Sequence, residues 1–280
     1  MFMCSGRPTG AGAHPSTILQ TFRLPEPVKG ELELRFRPTG KEKADTAAVE
    51  NTVSEIIMPK SYLAEYVQYL GNAVPKDTLN VLCVGNSFTY YWGCPAMLKE
   101  IAWNEGHYLR VKSTLKGGQT LGDHLALPVS RNVVNAGRYD FAFFQDQSQS
   151  PARYASDTTQ FDYVNTNFLK LTDRLLSRSR NCRVILESTW SFEKDDFGGF
   201  GSHAAFDSLM TIGTSMMVRN ASKIFGANDF EVSPIGRAFS IVRNENPGID
   251  LYSADSKHQS DYGSYLKACV NYLMIFRKPF

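Results

Sequence analysis

From residue 79 onward the chain alternates between short apolar blocks and longer mixed ones. The short blocks lie at 80–85, 108–113, 139–145, 183–188 and 229–232. Three of them are rich in Val, Leu, Ile and Phe, as in Val81-Leu82-Cys83-Val84 and Phe141-Ala142-Phe143-Phe144, whereas 108–113 and 229–232 include charged residues. Runs this short and this apolar read as strands buried on both faces of a sheet. The stretches near 95–105, 161–178, 203–225, 235–244 and 261–277 read as helices, the last with Ser260 as its N-cap. Strand and helix in strict alternation predict an α/β fold, a mostly parallel sheet with helices on both faces.

The first 78 residues follow a different pattern. Residues 1–16 are rich in Gly, Pro, Ser and Thr and read as a loose tail. Glu31-Leu32-Glu33-Leu34-Arg35-Phe36-Arg37 alternates polar and apolar positions and predicts one half-exposed strand. Helix-forming residues from Thr46 to Gly71 are followed by Pro75. The expected organisation is an N-terminal extension over 1–78, partly disordered and carrying a short strand and a helix. A larger domain over 79–280 would follow it.

The chemistry concentrates where apolar runs end. The run from Leu79 to Val84 stops abruptly in Gly85-Asn86-Ser87, which hands a serine to the carboxyl end of a buried strand. In open α/β sheets the crevice beyond those ends is where ligands bind. A serine hydroxyl is a weak nucleophile until a base removes its proton, and that base needs a partner to fix its tautomer. Asp255-Ser256-Lys257-His258 supplies both, a carboxylate three residues before an imidazole. Two further strand ends carry donors suited to an oxyanion: Lys116-Gly117-Gly118-Gln119 and Gln145-Asp146-Gln147-Ser148. Each motif alone has a bland reading, a tight turn or a surface pair at a helix start. Their convergence on one crevice favours a site.

Charge and composition narrow the alternatives. A formal net charge of +2, with 42% apolar and 21% charged residues, fits a globular domain and gives no electrostatic reason to expect nucleic acid. Cys4, Cys83, Cys94, Cys182 and Cys269 show neither CxxC nor zinc spacing and read as small core residues. No metal and no cofactor is expected. Asp195, Asp196 and His203 match no ligand pattern, and the glycines after the second strand are not a phosphate loop. No apolar run reaches membrane-spanning length. The N-terminus lacks the regions of a signal peptide. Cys4 so near the start suits a trimmed lipoprotein, although Met3 fits that cleavage poorly, so the compartment stays open with export slightly favoured if trimming occurred.

These separated blocks, in this order, resemble those of the SGNH (GDSL-type) hydrolases, serine esterases with a three-layer flavodoxin-like fold. The resemblance spans about residues 79–278. It implies Ser87 as nucleophile, His258 as base and Asp255 as its orienter. It also implies an oxyanion hole from the amides of Ser87 and Gly118 with a carboxamide from the third block, Gln147 in preference to Gln145. Two positions depart from the family pattern. Asn86 stands where an aspartate is usual, and a glutamine replaces the customary asparagine of the third block. Similar third blocks occur among relatives that remove acetyl groups from carbohydrates, which makes an acetylated carbohydrate the expected substrate. His124, Trp190 and Trp92 are candidates for the substrate pocket, with a surface histidine and a core aromatic as the plain readings of the first two. A non-catalytic carbohydrate-binding module and a lipase or thioesterase for longer acyl chains are the rival functions.

Overall fold

A computed structural model describes residues 77–278, apart from 197 and 227–229. The N-terminal strand and helix expected between residues 31 and 71 therefore lie outside the described residues. Residues 77–280 form one compact unit.

Five strands make one sheet: β1 (Leu79–Gly85), β2 (Leu109–Leu115), β3 (Phe141–Phe144), β4 (Arg183–Glu187) and β5 (Phe230–Ser233). Every pairing is parallel and the order is β2-β1-β3-β4-β5. The α/β expectation holds, and each strand falls within two residues of the apolar run that predicted it. β3 is the most shortened. It begins just after Asp140, whose carboxylate accepts the Asn80 amide at 2.7 Å.

Alternation along the strands separates two cores. Leu82, Val84, Ala142, Phe144, Val184 and Leu186 point to one face, and Val81, Cys83, Phe141, Phe143 and Ile185 to the other. The long helices cover both faces. On the first face lie α6 (Asp162–Leu176), through Phe168, Leu171 and Leu175, and α7 (His203–Phe225), through Met217 and Ala221. On the second lie α2 (Cys94–Asn104), through Leu98 and Ile101, and α9 (Asp261–Phe276), through Tyr272 and Ile275. Each fully buried Leu or Phe contributes roughly 1.5–3 kcal/mol relative to exposure. Cys83, Cys94, Cys182 and Cys269 are buried free thiols.

Four short helices arise where only loops were expected: α1 (Ser87–Tyr90), α3 (Leu121–Ala126), α4 (Pro128–Asn135) and α5 (Ser150–Ser156). Thr120 and Asp123 form a capping box at α3, and prolines stand in the first turn of α4 and α5. Gly213 lets α7 lie directly on α5, since a Cβ there would overlap the Pro151 carbonyl oxygen. The remaining helix, α8 (Ile235–Glu245), follows β5 and packs through Ile235 and Phe239 on a third core at the carboxyl end of the sheet. Trp190 and Phe88 belong to that core.

The strand order reverses between β1 and β3, because the chain passes from β1 outward to β2 and returns to β3. Such a switch point opens a crevice beyond the carboxyl ends of the two strands. Ser87 stands directly after β1 at that point.

Candidate active site

The turn that carries Ser87 is fixed by its neighbours. Asn86 caps α1, its Oδ1 accepting the Phe88 amide at 3.1 Å. Its Nδ2 donates to the Gln119 carbonyl at 2.9 Å, and its backbone N–H donates to Gln145 Oε1 at 2.9 Å. One residue, through its side chain and its backbone N–H, thus ties the turn after β1 to the loops after β2 and β3. An aspartate at this position would cap the helix equally well but leave the Gln119 carbonyl without its donor.

Ser87 Oγ lies 2.7 Å from His258 Nε2. The other ring nitrogen, Nδ1, pairs with Asp255 Oδ2. Asp255 Oδ1 accepts the amides of Lys257 and His258 at 3.0 and 2.9 Å. Burial opposes ionisation of Asp255, but the hydrogen bonds from His258 and the two amides outweigh it and hold the carboxyl below the usual range. The loop bends tightly, with Ser256 in the left-handed region at φ 60°. Both sides of it are anchored: Trp190 Nε1 donates to the Lys257 carbonyl at 2.9 Å, and Trp92 Nε1 to the Gln259 carbonyl at 3.1 Å. Tyr91 stacks on the imidazole with ring centroids 4.2 Å apart and an interplanar angle of 16°. An imidazole held on its face, at Nδ1 and at Nε2 can act as base toward the hydroxyl it touches.

The loops after β2 and β3, where oxyanion donors were expected, both meet this turn through Asn86. Gly118 is exposed at φ 69°, a conformation that suits glycine. Gln147 is half-buried, its Oε1 accepting the Gln149 amide at 3.0 Å and its Nε2 donating to Ser148 Oγ at 3.3 Å. No hydrogen bond joins either residue to Ser87. Gln145 is fully buried, its Oε1 accepting from Asn86 and Thr89 and its Nε2 turned onto the Asp146 carbonyl. Both ends of that carboxamide are committed to holding the turn.

Asp146 joins the two donor loops, its Oδ1 accepting the Leu121 amide at 3.0 Å and the Gln147 amide at 2.7 Å. Burial raises its carboxyl to about 6, against the pull of those two amides. An unfolded aspartate titrates near 3.9, so between these values the folded state binds more protons. This group's contribution to stability therefore falls as pH rises from about 4 to 6, and it stays lost above that window. Asparagine keeps the acceptor oxygen without the charge. Asp146→Asn should raise Tm at pH 8, by the equivalent of roughly 2–3 kcal/mol, with the gain vanishing at pH 4 in a thermal-melt series.

Two pocket candidates are corrected by the structure. His124 is 1% exposed and does not face solvent. Its Nε2 donates to the Gly85 carbonyl at 2.9 Å and its Nδ1 accepts from Ser130 Oγ at 2.8 Å, so it pins α3 beneath the end of β1. Burial lowers its pKa and favours the neutral ring those bonds require. Trp190 has no exposed surface and is sandwiched between Phe88 at 4.8 Å and Phe239 at 4.3 Å. It supports the His258 loop from behind. Trp92 is half-buried with its indole N–H committed to Gln259.

Sequence reasoning missed an ion pair beneath the turn that carries Ser87. Lys267 on α9 is fully buried, and its Nζ donates to Glu187 Oε2 at 2.6 Å, the Phe88 carbonyl at 2.9 Å and Thr89 Oγ1 at 3.0 Å. Glu187, at the end of β4, also accepts Asn271 Nδ2 at 2.7 Å. Gln259 Nε2 adds donors to the carbonyls of Ser87 and Phe88 at 3.3 and 3.2 Å. A lysine within a largely apolar helical stretch was the available signal, but nothing in the sequence names its partner.

A five-stranded parallel sheet of this order, with a serine after β1 facing an Asp-x-x-His loop, is the architecture of the SGNH hydrolase fold. An acetyl xylan esterase matches over 71% of this chain and 100% of its own, with a TM-score of 0.54 at 13% identity. An acetyl xylan esterase from Geobacillus stearothermophilus matches over 72% of this chain and 96% of its own, with a TM-score of 0.53 at 14% identity. A Parabacteroides merdae protein described as a GDSL-like lipase gives 0.52 at 12% identity, over 72% of this chain and 96% of its own. No protein-family model and no curated protein matches the chain by sequence. Among the described residues no helix is long and apolar enough to cross a membrane, and no cluster of His, Cys, Asp or Glu is arranged to hold a metal ion.

Proposed function

We propose that the chain is a serine esterase that removes short acyl groups, acetyl in the first instance, from carbohydrate. The observation that carries this reading is the 2.7 Å contact of Ser87 Oγ with a His258 whose other nitrogen engages Asp255. His258 takes the Ser87 proton as Oγ attacks the ester carbonyl. The oxyanion is received by the amides of Ser87 and Gly118 and by the Gln147 carboxamide, whose Nε2 keeps a second N–H beside the one given to Ser148 Oγ, whereas Gln145 is buried and holds the turn. His258 then gives its proton to the departing alkoxide, leaving an acyl-serine and an alcohol. Water, deprotonated by the same imidazole, attacks the acyl carbon and releases the acid and free Ser87.

Two considerations favour acetyl groups on sugars. Gln145-Asp146-Gln147-Ser148 resembles the third block of carbohydrate deacetylases, and two structures sharing the fold are acetyl xylan esterases. The reading is tested with p-nitrophenyl esters from acetate to decanoate. Turnover should be fastest on acetate and fall beyond two or three carbons. Turnover that instead rises with chain length would replace the acetylesterase by a lipase or thioesterase.

A further inference from the structure

The Ser87–His258 contact joins segments 171 residues apart, and its length depends on how the loop of His258 seats on the turn of Ser87. Among the described residues two hydrogen bonds reach Ser87 itself from that loop. One is the Oγ–Nε2 contact. The other comes from Gln259, whose Nε2 donates to the Ser87 carbonyl at 3.3 Å. The same Nε2 donates to the Phe88 carbonyl at 3.2 Å, so both of its N–H groups are engaged on α1.

Gln259 follows His258 directly in the chain, and its own backbone is fixed. Its carbonyl accepts Trp92 Nε1 at 3.1 Å and the Ser253 hydroxyl at 2.7 Å, and the residue pairs with Tyr252 in an antiparallel bridge. Gln259 has no exposed surface. Gly263, in the first turn of α9, packs so closely that a Cβ there would come within 3.0 Å of Gln259 Cβ. A carboxamide seated in this way holds the two carbonyls at a fixed reach from His258.

The other end of the carboxamide shows that stability is not its purpose. Gln259 Oε1 is buried and has no hydrogen-bond partner among the described residues. An unpaired buried acceptor is destabilising, and a methionine of similar shape would avoid it. Nor do the carbonyls need Gln259 to be satisfied. The Ser87 carbonyl also accepts the Tyr91 amide, and the Phe88 carbonyl accepts the Lys267 ammonium. What glutamine adds is a pair of donors where the Ser87 turn and the His258 loop meet.

We propose that Gln259 is a positioning residue, which sets the reach of His258 to Ser87 by holding the backbone of the nucleophile from the position next to the base. Its effect on turnover rests on the hydrolytic reading, and its effect on the Ser87–His258 distance rests on the geometry alone. Misplacing a reacting group by about 1 Å can lower a rate on the order of a hundredfold.

Gln259→Met and Gln259→Asn test it, through kinetics on p-nitrophenyl acetate, melting curves and crystal structures of each beside the native chain. Methionine removes the donors at similar length, and asparagine withdraws them by one methylene. Each should lower kcat at least about tenfold with KM changed less than about twofold. In each the Ser87 Oγ–His258 Nε2 separation should open beyond hydrogen-bond reach. Gln259→Met should melt close to native, since no carbonyl is stranded and the unpaired Oε1 is gone. Native kcat in either folded variant, a rise in KM at unchanged kcat, or a separation that stays near 2.7 Å would overturn the proposal. If the native chain hydrolyses no ester, the hydrolytic reading fails by itself, and the separation still decides. An opened contact then sustains the role of Gln259, and an unchanged one overturns it.

Discussion

Ser87→Ala should abolish hydrolysis of p-nitrophenyl acetate, lowering turnover by at least about a thousandfold while the melting curve stays close to native. The reasoning is local. Ser87 is half-buried at the first position of α1, and its Oγ makes one contact, with His258. The structure of the turn depends on other groups: the Asn86 cap, the Gln145 carboxamide and the donors to the Phe88 carbonyl. Alanine removes the nucleophile and keeps the scaffold. Retained turnover in a folded Ser87→Ala protein would mean that ester cleavage proceeds at another residue.

The largest effect on stability should come from Lys267→Met. Removing one member of a buried ion pair strands the other, at a cost of about 3–5 kcal/mol. Here Glu187 would keep Asn271 but lose Lys267, and the Phe88 carbonyl and Thr89 hydroxyl would lose a charged donor. A fall in Tm on the order of ten degrees is expected for a domain of this size. Turnover should fall as well, since the turn bearing Ser87 loses a support. The paired change Lys267→Met with Glu187→Leu separates the causes. It should recover much of the stability, by removing the stranded charge, and little of the activity. A single substitution that melts like native would show that the pair contributes nothing net.

The framework was legible because the central strands β1, β3 and β4 are short apolar blocks buried on both faces, and because the long helices between strands fix a parallel sheet. The short helices were not. α4 and α5 begin with prolines, which read as punctuation although a first-turn proline starts a helix as readily as it ends one. The capping box Thr120-x-x-Asp123 could have announced α3. At the site, the Asp-x-x-His spacing and Gly-Asn-Ser turn named residues that the fold brings into contact, because both depend on local geometry. His124, Trp190 and the Glu187–Lys267 pair were not readable in the same way. Their roles depend on partners 39, 67 and 80 residues away, and a lone polar residue in a sequence does not reveal what covers it.

The most direct test of the account is labelling with a fluorophosphonate, followed by mass spectrometry of the modified peptide. The reagent requires a serine activated by a neighbouring base. One adduct is expected, on Ser87, and it should be lost in His258→Ala. A folded native chain that takes no label, or takes it on a different serine, would contradict the assignment of Ser87 and His258 as nucleophile and base.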